Sequence, residues 1–298
     1  MPIERDEHMY DHILVPTDGS TETEQAVSHG LGLARTYDAT VHVLYVTDES
    51  EYSAVTDAKA REQLRTAAEN VGRRATATVA ETADEFDLPV ERELRRGTPY
   101  EEILDYVEER DIDLVVMGTH GQAGVRPDLG STTLRVIRNV DVPALTVRFR
   151  EDVDVDVASH YEIYDDVLVA TDGSDGAMAA AEQGLDIAER YGATVHVLYV
   201  LDTNTYAFED VPRSIVGILK ESGNSAIAEI AEMGRERDID VKSGVRRGTP
   251  SRELLDYADE NDVDLLTLGA HGRTSEVHLG STTERVIRTS RRPTLSIR

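Results

Sequence analysis

The sequence predicts two α/β domains in tandem, each a parallel sheet with helices on both faces. Three observations carry this: an internal repeat of about 150 residues, short continuous apolar runs within each copy, and helical apolar spacing between those runs. "HILVPTDGS" (His12 to Ser20) returns as "DVLVATDGS" (Asp166 to Ser174), and "VHVLYVTD" (Val41 to Asp48) as "VHVLYVLD" (Val195 to Asp202). "RRGTPYEEILDY" (Arg95 to Tyr106) returns as "RRGTPSRELLDY" (Arg246 to Tyr257), and "LGSTTLRVIR" (Leu129 to Arg138) as "LGSTTERVIR" (Leu279 to Arg288). A period this long is a duplicated domain, not a solenoid unit. The expected domains are 1–148 and 164–298, joined by a linker at 149–163.

In the first copy, Ile13 to Pro16, Val41 to Val46, Val90 to Leu94, Leu114 to Met117 and Ala144 to Val147 read as strands. Most are continuous apolar runs, as expected where both faces are covered. The clearest helix is Pro99 to Glu109, with Tyr100, Ile103, Leu104 and Val107 on one face. Thr98 can cap it, Pro99 suits its first position, and Glu101 completes a capping box. Strands alternating with helices give a parallel sheet, whose ligands bind beyond the carboxyl ends of the strands.

Those ends carry the chemistry. The first strand runs into Thr17-Asp18-Gly19-Ser20 and its copy into Thr171-Asp172-Gly173-Ser174; the second strands end at Val46 and Val200. The fourth run into Gly118-Thr119-His120-Gly121 and Gly269-Ala270-His271-Gly272. A helix then starts near Gly130-Ser131-Thr132-Thr133, or Gly280-Ser281-Thr282-Thr283. The first N–H groups of a helix lack internal partners and are partly positive, and glycine lets a phosphate approach them. The plainer alternative is that Ser131 and Ser281 are only N-caps, with Glu284 completing a capping box. Asp18 and Asp172 have a plain alternative too, as Asp-Gly turn residues, and His120 and His271 read as loop hydrogen-bonding residues. P-loop, dinucleotide, nucleophile-elbow and zinc-protease motifs are all missing.

Taken in order, Pro-Thr-Asp-Gly-Ser, "HVLYV", "RRGTP", "VMGTHG" and "LGSTTLRVIR" resemble the universal stress protein family, from Tyr10 to Arg148 and again from Tyr164 to Arg298. The resemblance implies five-stranded parallel sheets of order 3-2-1-4-5. It implies ATP, or another adenine nucleotide with magnesium as a candidate companion, as ligand. Carried over, Pro16, Thr17, Asp18 and Val46 face adenine and ribose, Met117 and Gly118 lie beneath the ribose, and Gly121, Gly130, Ser131 and Thr132 hold the phosphates. The second set is Ala170, Thr171, Asp172, Val200, Leu268, Gly269, Gly272, Gly280, Ser281 and Thr282. The family's ATP pattern has nine residues between its second and third glycines. Here there are eight between Gly121 and Gly130, including Pro127, and seven between Gly272 and Gly280, including Glu276 and His278. The shorter segment is expected to pull the helix start toward the sheet, which makes the first copy the better site. The resemblance also implies an intrachain pseudo-dimer through the fifth strands, open to further homo-oligomerisation.

The leading functional reading is a nucleotide-binding stress or regulatory module. The alternatives are a slow ATP-hydrolysing enzyme and a ligand-free, partner-binding protein. The N-terminus lacks an apolar signal core and no run approaches the ~18 apolar residues of a membrane span, so a cytoplasmic protein without membrane association is expected. There is no cysteine, hence no disulfide or thiolate metal site. The net charge of -27, spread over both copies with no basic patch, disfavours nucleic acid as a partner. Its 58 acidic residues stand against 31 basic ones, and only Lys59, Lys220 and Lys242 are lysines. Such a surface repels itself in dilute buffer, while at ~1 M salt the Debye length is about 3 Å and the repulsion is screened. This composition reads as halophilic. The unfolding midpoint is therefore expected to rise steeply with KCl from low to molar concentration; a flat curve in thermal melts would remove that reading.

Overall fold

The computed structural model describes residues 9–52, 54–119, 129–150, 164–203, 213–272 and 279–298. It divides into two compact units, Met1–Glu162 and Ile163–Arg298. The first contains β1 (His12–Pro16), α1 (Glu24–Tyr37), β2 (Thr40–Asp48), α2 (Ala58–Asp84), β3 (Val90–Gly97), α3 (Pro99–Glu109), β4 (Leu114–Gly118), α4 (Ser131–Asn139) and β5 (Ala144–Val147). Its strands are all parallel, in the order β3-β2-β1-β4-β5. The second contains β6 (Asp166–Thr171), α5 (Asp175–Tyr191), β7 (Thr194–Asp202), α6 (Arg213–Glu236), β8 (Val241–Gly248), α7 (Pro250–Glu260), β9 (Leu265–Gly269), α8 (Ser281–Thr289) and β10 (Thr294–Ile297). It repeats the parallel order as β8-β7-β6-β9-β10. The chain thus has the expected α/β class and strand order in both copies. Of the expected linker, 151–163 lies outside the described residues, while Arg150 is held to α1: its N–H donates to Gln25 Oε1 at 2.9 Å and its carbonyl accepts from Gln25 Nε2 at 2.8 Å.

The core forms where the apolar runs predicted it. Ile13, Leu14 and Val15 of β1 and Leu114, Val115 and Val116 of β4 are fully buried. The helices come close to the sheet where side chains are absent. A Cβ on Gly72 of α2 would stand 2.4 Å from the Tyr45 ring, and one on Gly223 of α6 2.7 Å from the Tyr199 ring, so each tyrosine occupies the space its glycine leaves. On the other face α3 buries Ile103, Tyr106 and Val107. Tyr106, outside the expected apolar face, is buried because it reaches His42, while Tyr100 instead lies under the Arg135 guanidinium.

Four sequence-based strands need extending, β1 back to His12 and β4 on to Gly118 by one residue each, and β2 and β3 by more. β2 continues through Thr47 and Asp48, and β3 through Arg95, Arg96 and Gly97, because the ladder pairs Val46 with Arg95, Thr47 with Arg96 and Asp48 with Gly97. The bonds that extend these strands belong to the backbone, so apolarity does not mark them. The capping box at α3 also needs correction. Thr98 is the N-cap and Pro99 follows it, yet the threonine side chain makes no bond to the helix backbone.

A buried histidine recurs beneath each sheet. His42 Nδ1 is 3.0 Å from Tyr106 Oη and its Nε2 is 3.0 Å from His12 Nδ1. His196 holds Tyr257 Oη at 2.9 Å, but its Nε2 meets the Asp166 carboxylate at 2.7 Å. Burial lowers the pKa of His42 below 6.5; the Glu91 charge opposes this and His12 adds to it. The unfolded chain therefore takes up a proton at this position before the folded one does. The stability contribution is full above pH 6.5 and is lost as pH falls through the lowered folded value. Denaturant titrations of the first unit's unfolding in molar KCl should show stability dropping below pH 6.5, with a shallower pH slope in His42→Gln.

Candidate functional site

The order β3-β2-β1-β4-β5 puts the topological switch between β1 and β4, the crevice where open sheets of this kind bind ligands. One wall is the turn after β1. Thr17 donates its N–H to Leu44 O at 2.9 Å, and its hydroxyl accepts from Gly19 N–H at 3.1 Å. Asp18 Oδ1 accepts from Ser20 N–H at 3.0 Å and from Ser20 Oγ at 2.5 Å. Gly19 has φ +75°, a left-handed conformation that favours glycine. The second copy repeats the turn, with Gly173 at φ +76° donating to Thr171 Oγ1 at 3.1 Å and Ser174 N–H donating to Asp172 Oδ1 at 3.0 Å. Asp18 and Asp172 each close their turn through Oδ1. Oδ2 of Asp172 lies 3.2 Å from where a Cβ on Gly272 would stand, so this carboxylate also faces the glycine loop.

The opposite wall is a helix start fastened to a strand end. Gly130 N–H donates to Thr119 O at 2.8 Å, and Thr133 Oγ1 donates to Gly118 O at 2.9 Å. In the second copy Gly280 N–H donates to Ala270 O at 2.7 Å and Thr283 Oγ1 to Gly269 O at 2.7 Å. The N-caps are Gly130 and Gly280, and Ser131 and Ser281 are the first residues inside their helices. This corrects the N-cap reading of the serines. A glycine cap has no side chain to accept a bond, and the first intrahelical bonds come from Leu134 to Gly130 O at 3.0 Å and from Glu284 to Gly280 O at 2.9 Å. The N–H groups of the first turn are thereby left to an outside acceptor. The Glu284 carboxylate accepts from Arg288 Nε at 3.1 Å. By contrast α5, across the crevice, is capped by Ser174 Oγ, which accepts Ala177 N–H at 3.2 Å.

Three segments converge in the second copy. A Cβ on Gly280 would lie 3.3 Å from Ala270 O and 3.8 Å from Gly272 N, and Gly272 is in turn beside Asp172. Leu268 belongs to the buried cluster with Leu168 and Val286, and Ala170 and Val200 pack against it, so the three apolar positions carried over from the family form one floor. In the first copy Thr17, Met117 and Gly118 are buried, Pro16, Asp18, Val46, Gly130 and Thr132 are half-buried, and Ser131 is exposed. Gly121, His120 and Pro127, with Glu276 and His278 of the second copy, lie outside the described residues. The two segments differ by one residue, yet the pinning bonds match to within about 0.2 Å, so this difference between the copies does not shift either helix start from its strand end. Sequence reasoning missed Thr133 and Thr283. The doubled threonine in both copies was the signal, and only the fold shows that the second one faces inward.

A family model described as the universal stress protein family matches residues 9–148 and 163–298. The chain belongs to this family. A universal stress protein of Methanocaldococcus jannaschii is 34% identical over 147 residues, covering 49% of this chain and 86% of its own length. One from Mycolicibacterium smegmatis is 27% identical over 303 residues, covering 96% of both chains, and so aligns with the whole tandem. A crystal structure of a universal stress protein from Archaeoglobus fulgidus superposes with a TM-score of 0.72 at 22% identity, over 97% of this chain and 98% of that one, and so shares the fold. Among the described residues no helix is long and apolar enough to cross a membrane, and no group of three or more His, Asp or Glu could hold a metal ion.

Thr133→Val keeps the shape of the side chain and removes its bond to the buried Gly118 carbonyl. Equilibrium unfolding should show a loss of about 1–3 kcal/mol. A change below roughly 0.3 kcal/mol would mean that the bond does not hold the helix start.

Proposed function

We propose that each copy binds an adenine nucleotide, ATP foremost, and that the protein acts as a ligand-responsive regulatory or stress-response module. The observation that supports this best is the uncapped start of α8, fixed beside Gly272, which itself adjoins the Asp172 turn; α4 starts uncapped in the same way. In this reading the phosphates take the first-turn N–H groups and the hydroxyls of Ser131 and Thr132, or Ser281 and Thr282. Gly121 and Gly272 let the phosphates approach the backbone. Asp18 and Asp172 face the ribose, and the apolar floor, Ala170, Val200 and Leu268 in the second copy, lies under the nucleoside. Pro16, Val46 and Met117 take the corresponding places in the first. Magnesium would be carried by the phosphates.

Binding rather than turnover is the reading the residues favour. Phosphoryl transfer needs a positioned base and cationic stabilisation of the transferring group. The lysines lie on α2, α6 and β8, and none stands within the glycine-loop segments of the sequence. Bound nucleotide would stabilise the fold by mass action, which lets occupancy follow ligand level.

Protein purified in molar KCl and then denatured should release an adenine nucleotide, and calorimetry on stripped protein should show ATP binding. Gly130→Val and Gly280→Val put side chains where the phosphate would approach, so the double variant should lose ATP binding by at least about tenfold, each single variant silencing one site. Gly130→Ala and Gly280→Ala serve as the milder pair, since the nearest atom to a Cβ at 280 is the Ala270 carbonyl oxygen at 3.3 Å, with Gly272 N and Thr283 Oγ1 at 3.8 and 3.9 Å. Unchanged binding in the double variant would show that the loop is a structural connection only.

A further inference from the structure

The large apolar side chains left exposed among the described residues are Leu64, Val71 and Ile218, at 43%, 42% and 63%. All three lie in the N-terminal half of the second helix of their copy, α2 or α6. The two helices align on Gly72 and Gly223, which meet equivalent tyrosines. At 100° per residue Leu64 and Val71 then fall within about 20° of each other, and Ile218 within about 60° of both. This face points somewhere specific. A Cβ on Gly19 would stand 3.1 Å from Ala75 Cβ and 3.4 Å from Val71 Cγ1, and one on Gly173 would stand 3.4 Å from Ala226 Cβ. The apolar stripe therefore touches the aspartate turn at Val71. From there it continues toward the N-terminus of α2, with Leu64 about 10 Å further on. Because β2 ends at Asp48 and α2 begins at Ala58, that end of the helix is the one at the carboxyl rim of the sheet.

The domain core does not need these side chains. Buried positions on α2 are Gly72, Thr76, Val79 and Ala83, all at or beyond the point where the helix meets Tyr45. Between Ala58 and Val71, Leu64 and Val71 are the large aliphatic residues in a stretch otherwise made of alanine and polar or charged residues. An acidic surface that keeps two such residues seven apart, the nearer one against the aspartate turn, is consistent with an apolar object there. We propose that Val71, with Leu64 beyond it, forms the outer wall against which the planar base of the bound nucleotide packs in the first copy, and that Ile218 does so in the second. These residues would set which base is accepted, while the glycine loop binds the phosphates of any nucleotide. Ser222 stands in α6 where Val71 stands in α2, so the second wall begins further from its turn and discriminates less.

The inference rests on the nucleotide reading above, and the experiment separates the two. Calorimetry in molar KCl compares ATP with inorganic tripolyphosphate, which probes the phosphate cradle alone, on the wild type and on Leu64→Ser/Val71→Ser/Ile218→Ser. The sites are exposed, and an unchanged unfolding midpoint checks that the variant folds. ATP affinity should fall about fivefold or more, with tripolyphosphate affinity unchanged and Val71→Ile retaining ATP binding. Unchanged ATP affinity in the triple variant, with loss in Gly130→Val/Gly280→Val, overturns the wall and leaves the nucleotide reading standing. An equal loss for both probes also overturns it, since the effect is then not on the base. No ATP binding by the wild type removes both.

Discussion

Everything at the candidate site depends on one constraint: a helix must begin next to a strand end without anything capping it. Glycine at the N-cap removes the side chain that would otherwise accept a first-turn N–H. An uncapped start costs stability and frays, because several N–H groups lack partners. The structure offsets this one residue at a time, through the N-cap N–H on the residue after the strand and the Thr133 or Thr283 hydroxyl on the strand's last carbonyl. The helix is held from outside its own first turn, and its donors stay available. A serine or aspartate at the cap would give a more stable helix and a closed anion site.

Much of this was legible in the sequence. The repeat set the domain count, the apolar runs located the strands, and β5 and α3 have the boundaries their residues predict. The strand order came with the family resemblance, since hydropathy alone does not order parallel strands. What stayed hidden falls into two kinds. Arg95, Arg96 and Gly97 are in a strand for reasons their side chains do not carry, since pairing to β2 is a backbone matter. The serine beside a glycine fits either N-cap or first-turn position by pattern, and only the backbone conformation, with Gly130 at φ −56° and ψ 145°, decides between them. Tyr106 escaped the apolar face for a related reason: it is buried through its partner His42, across the sheet face, and not through its place in the helical stripe.

The duplication provides an internal control. Where the two copies agree, in the aspartate turn, the glycine against a tyrosine ring, the histidine bound to a tyrosine and the pinned helix start, the shared geometry marks what the architecture needs. They differ beside the buried histidine, where His12 in one copy is replaced by Asp166 in the other. They differ again at α1, where Gln25 holds the chain leaving β5 and Ala179 takes the matching place in α5. Both differences leave the strand order untouched.

The matched pinning bonds at loops of unequal length separate two quantities that are usually tied together. A segment whose two ends are fastened to the same strand terminus can gain or lose residues without moving either end. Its length is free to drift, while the cradle beneath it stays in register. Insertions and deletions in this part of the chain therefore need not move the helix start. In such an arrangement one half of a pocket can diversify while the other is inherited intact, and a duplicated gene has two loops in which to do it.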